Sequence, residues 1–393
     1  MTAKINRRAW LKSSLLAAGG IGLAPSIVSA NTTRVSTHVS PFNPESLLWE
    51  HDPLYKEKAP ALKARLLANE NPYGPSKKVI STISDAVSLG NRYAHGDAAT
   101  LIDMIAEKEG VTKDHIMLGP GSTDLLEKTA IVRFLEGGNI VSADPSYMSL
   151  INTSRRIGAT WKPVPLTQDF SHDLEGMAKS VDDETKLVYV CNPNNPTGSV
   201  TDPAKLKSFC KKVSAKTPIF VDEAYLEFMD KPEENTMVGL VAEGHDVIVA
   251  RTFSKIHGMA GLRIGYIVAL PERIESITNM VRSTMGLSVT SLKGAIVSMN
   301  EEKFIAECRS MNKECRDYVY SELTGMGYDV IPSSTSFMIF PIAMEGDKFL
   351  KSMFAEGVGV RAYEFLDKPW CRVSMGTMPE MEIFLEAFKK VTV

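Results

Sequence analysis

Arg251-Thr252-Phe253-Ser254-Lys255, continued by Gly261-Leu262-Arg263-Ile264-Gly265, is the stretch on which the reading of this chain turns. The residues before it, Asp246-Val247-Ile248-Val249-Ala250, form an apolar run bounded by polar punctuation, the pattern of a buried strand. Such a strand delivers two hydroxyls and a lysine to its carboxyl end, where open α/β sheets place their ligands. Arg263 stands between Gly261 and Gly265, and glycine lets backbone approach a ligand closely. A lysine among hydroxyls and a guanidinium suits an aldehyde that carries a phosphate, because amine and aldehyde condense to a Schiff base. Read alone, the pentapeptide is equally a surface Ser-Lys in a βα loop.

Outward from this stretch, strand-like runs fall at 116–118, 139–143, 160–163, 187–191, 219–222 and 263–269. Helical patterns alternate with most of them, which predicts βα units around a parallel sheet. Ser76 caps a predicted helix running to about Leu89, residues 91–97 read as a loop, and 98–108 are again helical by pattern. The fold class is therefore α/β, a mostly parallel central sheet flanked by helices, with a smaller α+β domain. Residues 75–287 are assigned to the large domain and 288–393 to the small one, with strands near 336–342 and 370–374. Residues 31–74 read as an N-terminal arm plus a part of the small domain, the polar, proline-punctuated 31–62 being arm rather than core.

The 393 residues, 44% hydrophobic and 23% charged, are ordinary for a soluble globular enzyme, and a net charge of −3 gives no basis for a nucleic-acid partner. Cys191, Cys210, Cys308, Cys315 and Cys371 lack metal-ligand spacing, so they read as buried or incidental thiols and no metal site is expected. The N-terminus is unlike the rest. Asn6-Arg7-Arg8-Ala9-Trp10-Leu11-Lys12 precedes an apolar stretch from Ser13 to Ala24, and Val28-Ser29-Ala30 has the small residues of a cleavage site. Residues 1–30 thus read as a signal peptide, and the paired arginines resemble a twin-arginine export signal, placing the mature protein in the periplasm or outside the cytoplasm. The apolar part is too short and glycine-rich for a stable membrane anchor.

Several strand ends carry candidate chemistry. Gly119-Pro120-Gly121-Ser122-Thr123-Asp124 joins a strand to a helix, and unpaired N–H groups at a helix start favour phosphate. Asp144-Pro145-Ser146-Tyr147 offers an aromatic face. Asn192-Pro193-Asn194-Asn195-Pro196-Thr197-Gly198 is turn chemistry that also aims an amide. Asp222 ends an apolar strand, needs a cationic or hydrogen-bonding partner if buried, and has Tyr225 close behind it. Each of these, taken singly, reads as structural.

Taken in order, the set resembles the fold-type I enzymes of aminotransferase class I/II that use pyridoxal 5'-phosphate (PLP), most of all the histidinol-phosphate aminotransferase branch. The resemblance rests on Asn69–Pro75 (N-E-N-P-Y-G-P), Asn192–Gly198 (N-P-N-N-P-T-G), Val221–Tyr225 (V-D-E-A-Y), Arg251–Lys255 and Gly261–Gly265, and it spans about residue 45 to the C-terminus. It implies that Lys255 bonds the cofactor aldehyde, that Asp222 pairs with the ring nitrogen, and that Asn195 and Tyr225 bond the ring oxygen. Lys255, Asp222 and Tyr225 are then the catalytic set. It implies further that Tyr147 stacks on the ring and that Gly121, Ser122, Thr123, Thr252, Ser254 and Arg263 surround the phosphate. Tyr93 would reach the phosphate of a neighbouring subunit, which implies a homodimer. Arg372 would hold the substrate carboxylate, with Asn71, Tyr73 and Arg361 beside it. The expected partners are a small amino donor and a 2-oxo acid acceptor, served in turn by a ping-pong route. A decarboxylase of the same family is the nearest rival, because a Schiff base does not itself choose which Cα bond breaks; a non-catalytic binding protein is the more remote one. The usual Arg-Tyr-Pro-Asp appears here as Arg92-Tyr93-Ala94-His95-Gly96-Asp97, and an exported enzyme sits badly with histidine biosynthesis.

Overall fold

The computed structural model describes residues 49–51, 61–282 and 284–392. The predicted signal peptide, and the predicted arm up to residue 48, lie outside them. The strands are β1 (Trp49–Glu50), β2 (Ala64–Arg65), β3 (Ile116–Gly119), β4 (Asn139–Asp144), β5 (Thr160–Pro165), β6 (Thr185–Cys191) and β7 (Ile219–Asp222). They continue with β8 (Val247–Thr252), β9 (Gly265–Val268), β10 (Phe337–Pro341), β11 (Val358–Gly359), β12 (Arg361–Phe365) and β13 (Lys368–Ser374).

β3 to β9 form a seven-stranded sheet in the order β3-β9-β8-β7-β6-β4-β5. Neighbours are parallel except at β9, which is antiparallel to both β3 and β8. The apolar runs are continuous rather than alternating because both faces of the sheet are covered. Val188, Val190, Val221 and Val249 pack on one side with Leu206 and Phe209. Tyr189, Phe220 and Ile248 pack on the other with Leu125, Leu126 and Leu150. Truncating a fully buried side chain such as Phe220 to alanine is worth about 3–5 kcal/mol of stability.

A second sheet, β1-β12-β13-β10, is wholly antiparallel, and β2 pairs separately with β11. Helices Glu302–Gly325, Gly346–Ala355 and Met378–Thr392 cover it, bringing Val319, Leu323, Phe349, Phe384 and Phe388 against Met338, Phe340 and Val373.

Four differences from the sequence reading follow from packing. Trp49–Glu50, expected in the arm, pairs with β12 as an edge strand. Helix Val289–Ser298, expected to open the small domain, carries Leu292 and Ala295 into the core of the large sheet. Arg263, expected within a strand, is in the left-handed region at φ 49° and β9 begins only at Gly265. The predicted 91–97 loop is shorter, since the helix His95–Glu109 already starts inside it.

The carboxyl ends of β4, β6, β7 and β8 are neighbours, with Asp222 in register with Cys191 on one side and Ala250 on the other. That edge is where the candidate residues collect.

Candidate active site

A cavity of ≈ 490 Å³ opens over this edge, and Lys255, Asp222, Tyr225, Tyr147, Asn195 and Arg372 all line it. Lys255 follows β8 directly. Its Nζ donates to the Asn69 carbonyl at 3.2 Å and lies 5.3 Å from the centre of the Tyr225 ring. Burial, with Arg372 and Arg263 opposing a second positive charge, lowers its pKa to about 8, although Glu70 and Asp222 pull the other way. A lysine so placed is a mixture of amine and ammonium near neutral pH, which is what a nucleophile and proton carrier needs.

Asp222, 3% exposed, receives hydrogen bonds from the Tyr189 hydroxyl at 3.3 Å and the Ala224 N–H at 3.1 Å. These neutral donors and the nearby Lys255 do not offset burial, and its pKa rises to about 6. The next residue is treated differently. Glu223 accepts from Arg251 Nε at 2.7 Å, a buried ion pair that ties β7 to β8. Asp222 is the carboxylate left for a cation that the protein itself does not place on it.

At the other end of the cavity, Ser122 starts the helix Ser122–Phe134 after Gly121, at φ 88°. A Cβ on Gly121 would come within 2.1 Å of the Arg263 guanidinium, and one on Gly265 within 2.7 Å of the Ser122 nitrogen. Only glycine at both positions lets that guanidinium and the helix N-terminus share one spot. Arg263 Nη1 also donates to Ser254 Oγ at 3.1 Å, while Thr252 Oγ1 accepts the Ser254 N–H at 3.1 Å. Tyr147 leans over the cavity with its hydroxyl 3.3 Å from Thr123 Oγ1, and burial pushes its pKa up to about 12.

The small sheet supplies the opposite wall. Arg372, on β13, donates to Asn195 Oδ1 at 2.7 Å and lies over the Phe337 and Tyr363 rings, 5.3 Å from each centre. Arg361, on β12, lines the same wall. Asn69 joins the two walls: its Nδ2 donates to the Tyr225 hydroxyl at 3.0 Å, and its N–H and Oδ1 bond Ser374 Oγ, both at 2.8 Å.

The structure thus gathers Ser122, Thr123, Tyr147, Asn195, Asp222, Tyr225, Thr252, Ser254, Lys255, Arg263, Arg361 and Arg372 around one cavity, with Gly121 shaping its edge. Asn71 and Tyr73 are not among the lining residues. Asn69 takes a left-handed turn at φ 52°, and beyond it Asn71 Nδ2 caps the Ile256 carbonyl at 2.7 Å while the Tyr73 hydroxyl lies 4.0 Å from Cys315 Sγ. Asn69 and Glu70 face the cavity in their place. Tyr93, 75% exposed, is outside the cavity of its own chain. Glu50 and Tyr363 were missed because nothing local in their sequence marks them. Asn69 opens a quoted motif and was legible as a candidate.

An unneutralised buried carboxylate, a lysine at the end of the adjacent strand and a glycine-edged anion cradle fit a phosphorylated pyridine aldehyde, its ring nitrogen toward Asp222 and its phosphate toward Ser122 and Arg263. Fold and site together define a fold-type I PLP-dependent transferase. Residues 63–388 match the model of the family described as aminotransferase class I and II. The histidinol-phosphate aminotransferase of Moorella thermoacetica is 32% identical over 83% of this chain and 85% of its own. A solved structure from Erwinia carotovora atroseptica superposes with TM-score 0.79 at 29% identity, over 85% of this chain and 99% of that one. The histidinol-phosphate aminotransferase of Sinorhizobium meliloti, solved with pyridoxal-5'-phosphate, gives TM-score 0.74 at 25% identity, over 84% and 91%. The chain belongs to the aminotransferase class I and II family, and it is an enzyme that uses PLP to transfer amino groups.

Proposed function

We propose that the donor is an α-amino acid held through its carboxylate by Arg372, and that the amino group passes to a 2-oxo acid in the same cavity. The observation that carries this is Arg372 itself. It is 6% exposed, fixed by Asn195, and its Nε is buried with no hydrogen-bond partner. A buried guanidinium with donor capacity to spare suits the planar grip on a carboxylate.

Bound between Asp222 and the Ser122 cradle, PLP supplies an aldehyde and a cationic ring that delocalises electrons released at the substrate Cα. The chain supplies the rest. Asp222 holds the proton on the ring nitrogen, Asn195 and Tyr225 hydrogen-bond the ring oxygen, and Tyr147 covers the ring face. Thr252, Ser254, Arg263 and the amides at Ser122 and Thr123 hold the phosphate. Lys255, placed to bond the cofactor aldehyde, would be the group that moves the proton at the substrate Cα. Tyr93, exposed in one protomer, is assigned to the cofactor phosphate of a second copy, and the working unit is assigned as a homodimer.

A second reading, in which the donor is a phosphorylated amine, draws support from the name histidinol-phosphate aminotransferase carried by relatives such as that of Moorella thermoacetica. Mixing the purified holoenzyme with a panel of amino acids and with histidinol phosphate, and following the cofactor absorbance, tests both. Conversion by amino acids and not by histidinol phosphate is expected. Release of carbon dioxide without amino transfer would replace the aminotransferase by a decarboxylase. We also propose export through the paired Arg7 and Arg8. Replacing both by lysine should leave active enzyme in the cytoplasm with residues 1–30 attached, and continued export of that variant would end the proposal.

A further inference from the structure

Arg361 and Arg372 stand directly opposite one another on β12 and β13, and both line the cavity. Both guanidinium groups donate to the Leu67 carbonyl, Arg361 Nε at 3.0 Å and Arg372 Nη2 at 3.4 Å. Like charges placed so closely across a strand pair repel. An aminotransferase cavity with two such cations would be a natural receptor for two anionic groups on one substrate. The third strand of the sheet changes that. Glu50, on β1 in register with Tyr363, accepts from Arg361 Nη1 and forms an ion pair with it. It is also hydrogen-bonded to the Tyr363 hydroxyl. Glu50 and Arg361 keep 30% and 20% of their side-chain surface exposed, and both face the cavity. Glu70, the other carboxylate of this wall, accepts from Arg65 at 3.1 Å. Arg372 is in a different position: no carboxylate of the described residues forms a salt bridge with it, and its Nε is unpartnered. The substrate wall therefore presents one cation in need of an anion.

We propose that Glu50 sets substrate charge: by occupying Arg361 it restricts the cavity to amino donors and 2-oxo acids with a single carboxylate and an uncharged side chain, and turns away dicarboxylates. The inference rests on the reading of Arg372 as the carboxylate anchor. A second anionic group on the substrate either displaces Glu50 from Arg361 or lies beside it. Each leaves a partly buried negative charge without a partner, which is costly. An uncharged side chain leaves the pair intact. Because donor and acceptor use the same cavity in turn, the restriction applies to both halves of the reaction. Specificity of this kind is a difference in affinities obtained through an unfavourable contact with the wrong partner.

The experiment uses the PLP-loaded protein and two readouts. The first is the rate of cofactor conversion, per unit concentration of donor, for methionine and phenylalanine against aspartate and glutamate. The second is calorimetric binding of the unreactive acids butyrate and succinate. The wild type is expected to prefer the uncharged donors and to bind succinate no more tightly than butyrate. Glu50→Gln should move both ratios toward the dianionic ligand by about ten- to a hundredfold, the effect of gaining one charge-assisted contact. If Glu50 only relieves repulsion between the two arginines, Glu50→Gln lowers stability and leaves both ratios where they were, and the proposal is overturned. It is equally overturned if the wild type converts aspartate or glutamate as readily as methionine. Should Glu50→Gln fail to fold, Glu50→Asp, whose shorter carboxylate loosens the contact with Arg361, is expected to move both ratios the same way, and unchanged ratios in that variant overturn the proposal. If no donor converts the cofactor, the aminotransferase reading has failed, and the binding ratios still report on Glu50 separately.

Discussion

The two walls of the cavity are made differently. The wall at the edge of the large sheet takes each residue from the end of the strand that precedes it: Asp222 from β7, Thr252 and Lys255 from β8, Asn195 from the turn after β6. The wall on the small sheet is assembled from segments far apart in the chain, as where Asn69 meets Ser374 across 305 residues. The first wall has buried, strongly perturbed groups whose chemistry is set by burial; the second has guanidinium groups whose chemistry is set by which carboxylate reaches them. Damage to the first should therefore appear as lost turnover, and damage to the second as altered affinity and selectivity.

The sharpest break would come at Lys255. Lys255→Ala removes both the covalent partner of the cofactor and the proton carrier, and transamination should fall by about 10³-fold or more in a steady-state assay. Near-normal turnover would place the chemistry elsewhere. Asp222 should come next. With Asp222→Ala we expect a loss of about 10²- to 10⁴-fold in kcat, corresponding to the roughly 3–5 kcal/mol of breaking a buried ion pair.

Asp222 also allows a test on stability. Its carboxyl pKa is raised from 3.8 to about 6 by burial, so the stability it contributes is complete below pH 4 and is lost as pH rises to 6. In cofactor-free protein Asp222→Asn should melt higher than wild type above pH 6, by an amount equivalent to no more than about 3 kcal/mol. The advantage should vanish below pH 4. Adding PLP should reverse the order at pH 8, because the ring nitrogen then gives Asp222 the cation it lacks. Melting curves that keep one order with and without PLP would remove Asp222 from the ring.

On the other wall the expected effects are smaller. Arg372→Lys keeps the charge and loses the planar fork, so KM for the amino donor should rise by about ten- to a hundredfold while PLP affinity changes little. A proportionate loss of PLP affinity would mean that Arg372 serves the cofactor wall. Asn69→Ala removes the side-chain hydrogen bonds to Tyr225 and Ser374 that bridge the walls and leaves the backbone N–H bond to Ser374. It is expected to cost about 1–3 kcal/mol of stability in denaturant titration, with kcat and KM both disturbed, as fits a joint rather than a ligand contact. An effect on KM alone would assign Asn69 to the substrate side.

The central parallel sheet is legible in the amino-acid sequence, because strands buried on both faces must be apolar along their whole length. The cofactor wall is legible there too, because in such a sheet the residue that ends a strand lands at the binding edge. Asp222, Lys255, Asn195 and Arg263 were readable for that reason, each beside its own strand and motif. On the second wall Arg372 and Arg361 were readable through the family resemblance, and the rest depended on the tertiary structure. Asn69 was favoured over Asn71 and Tyr73 by a left-handed turn, and helix Val289–Ser298 joined the large core through Leu292 and Ala295. Glu50 stands in a short edge strand whose only partner among the described residues, β12, comes more than three hundred residues later. No periodicity or local motif encodes a pairing at that distance. It arises because the antiparallel register of β1, β12 and β13 sets two arginines opposite one another and brings a carboxylate to just one of them, Arg361.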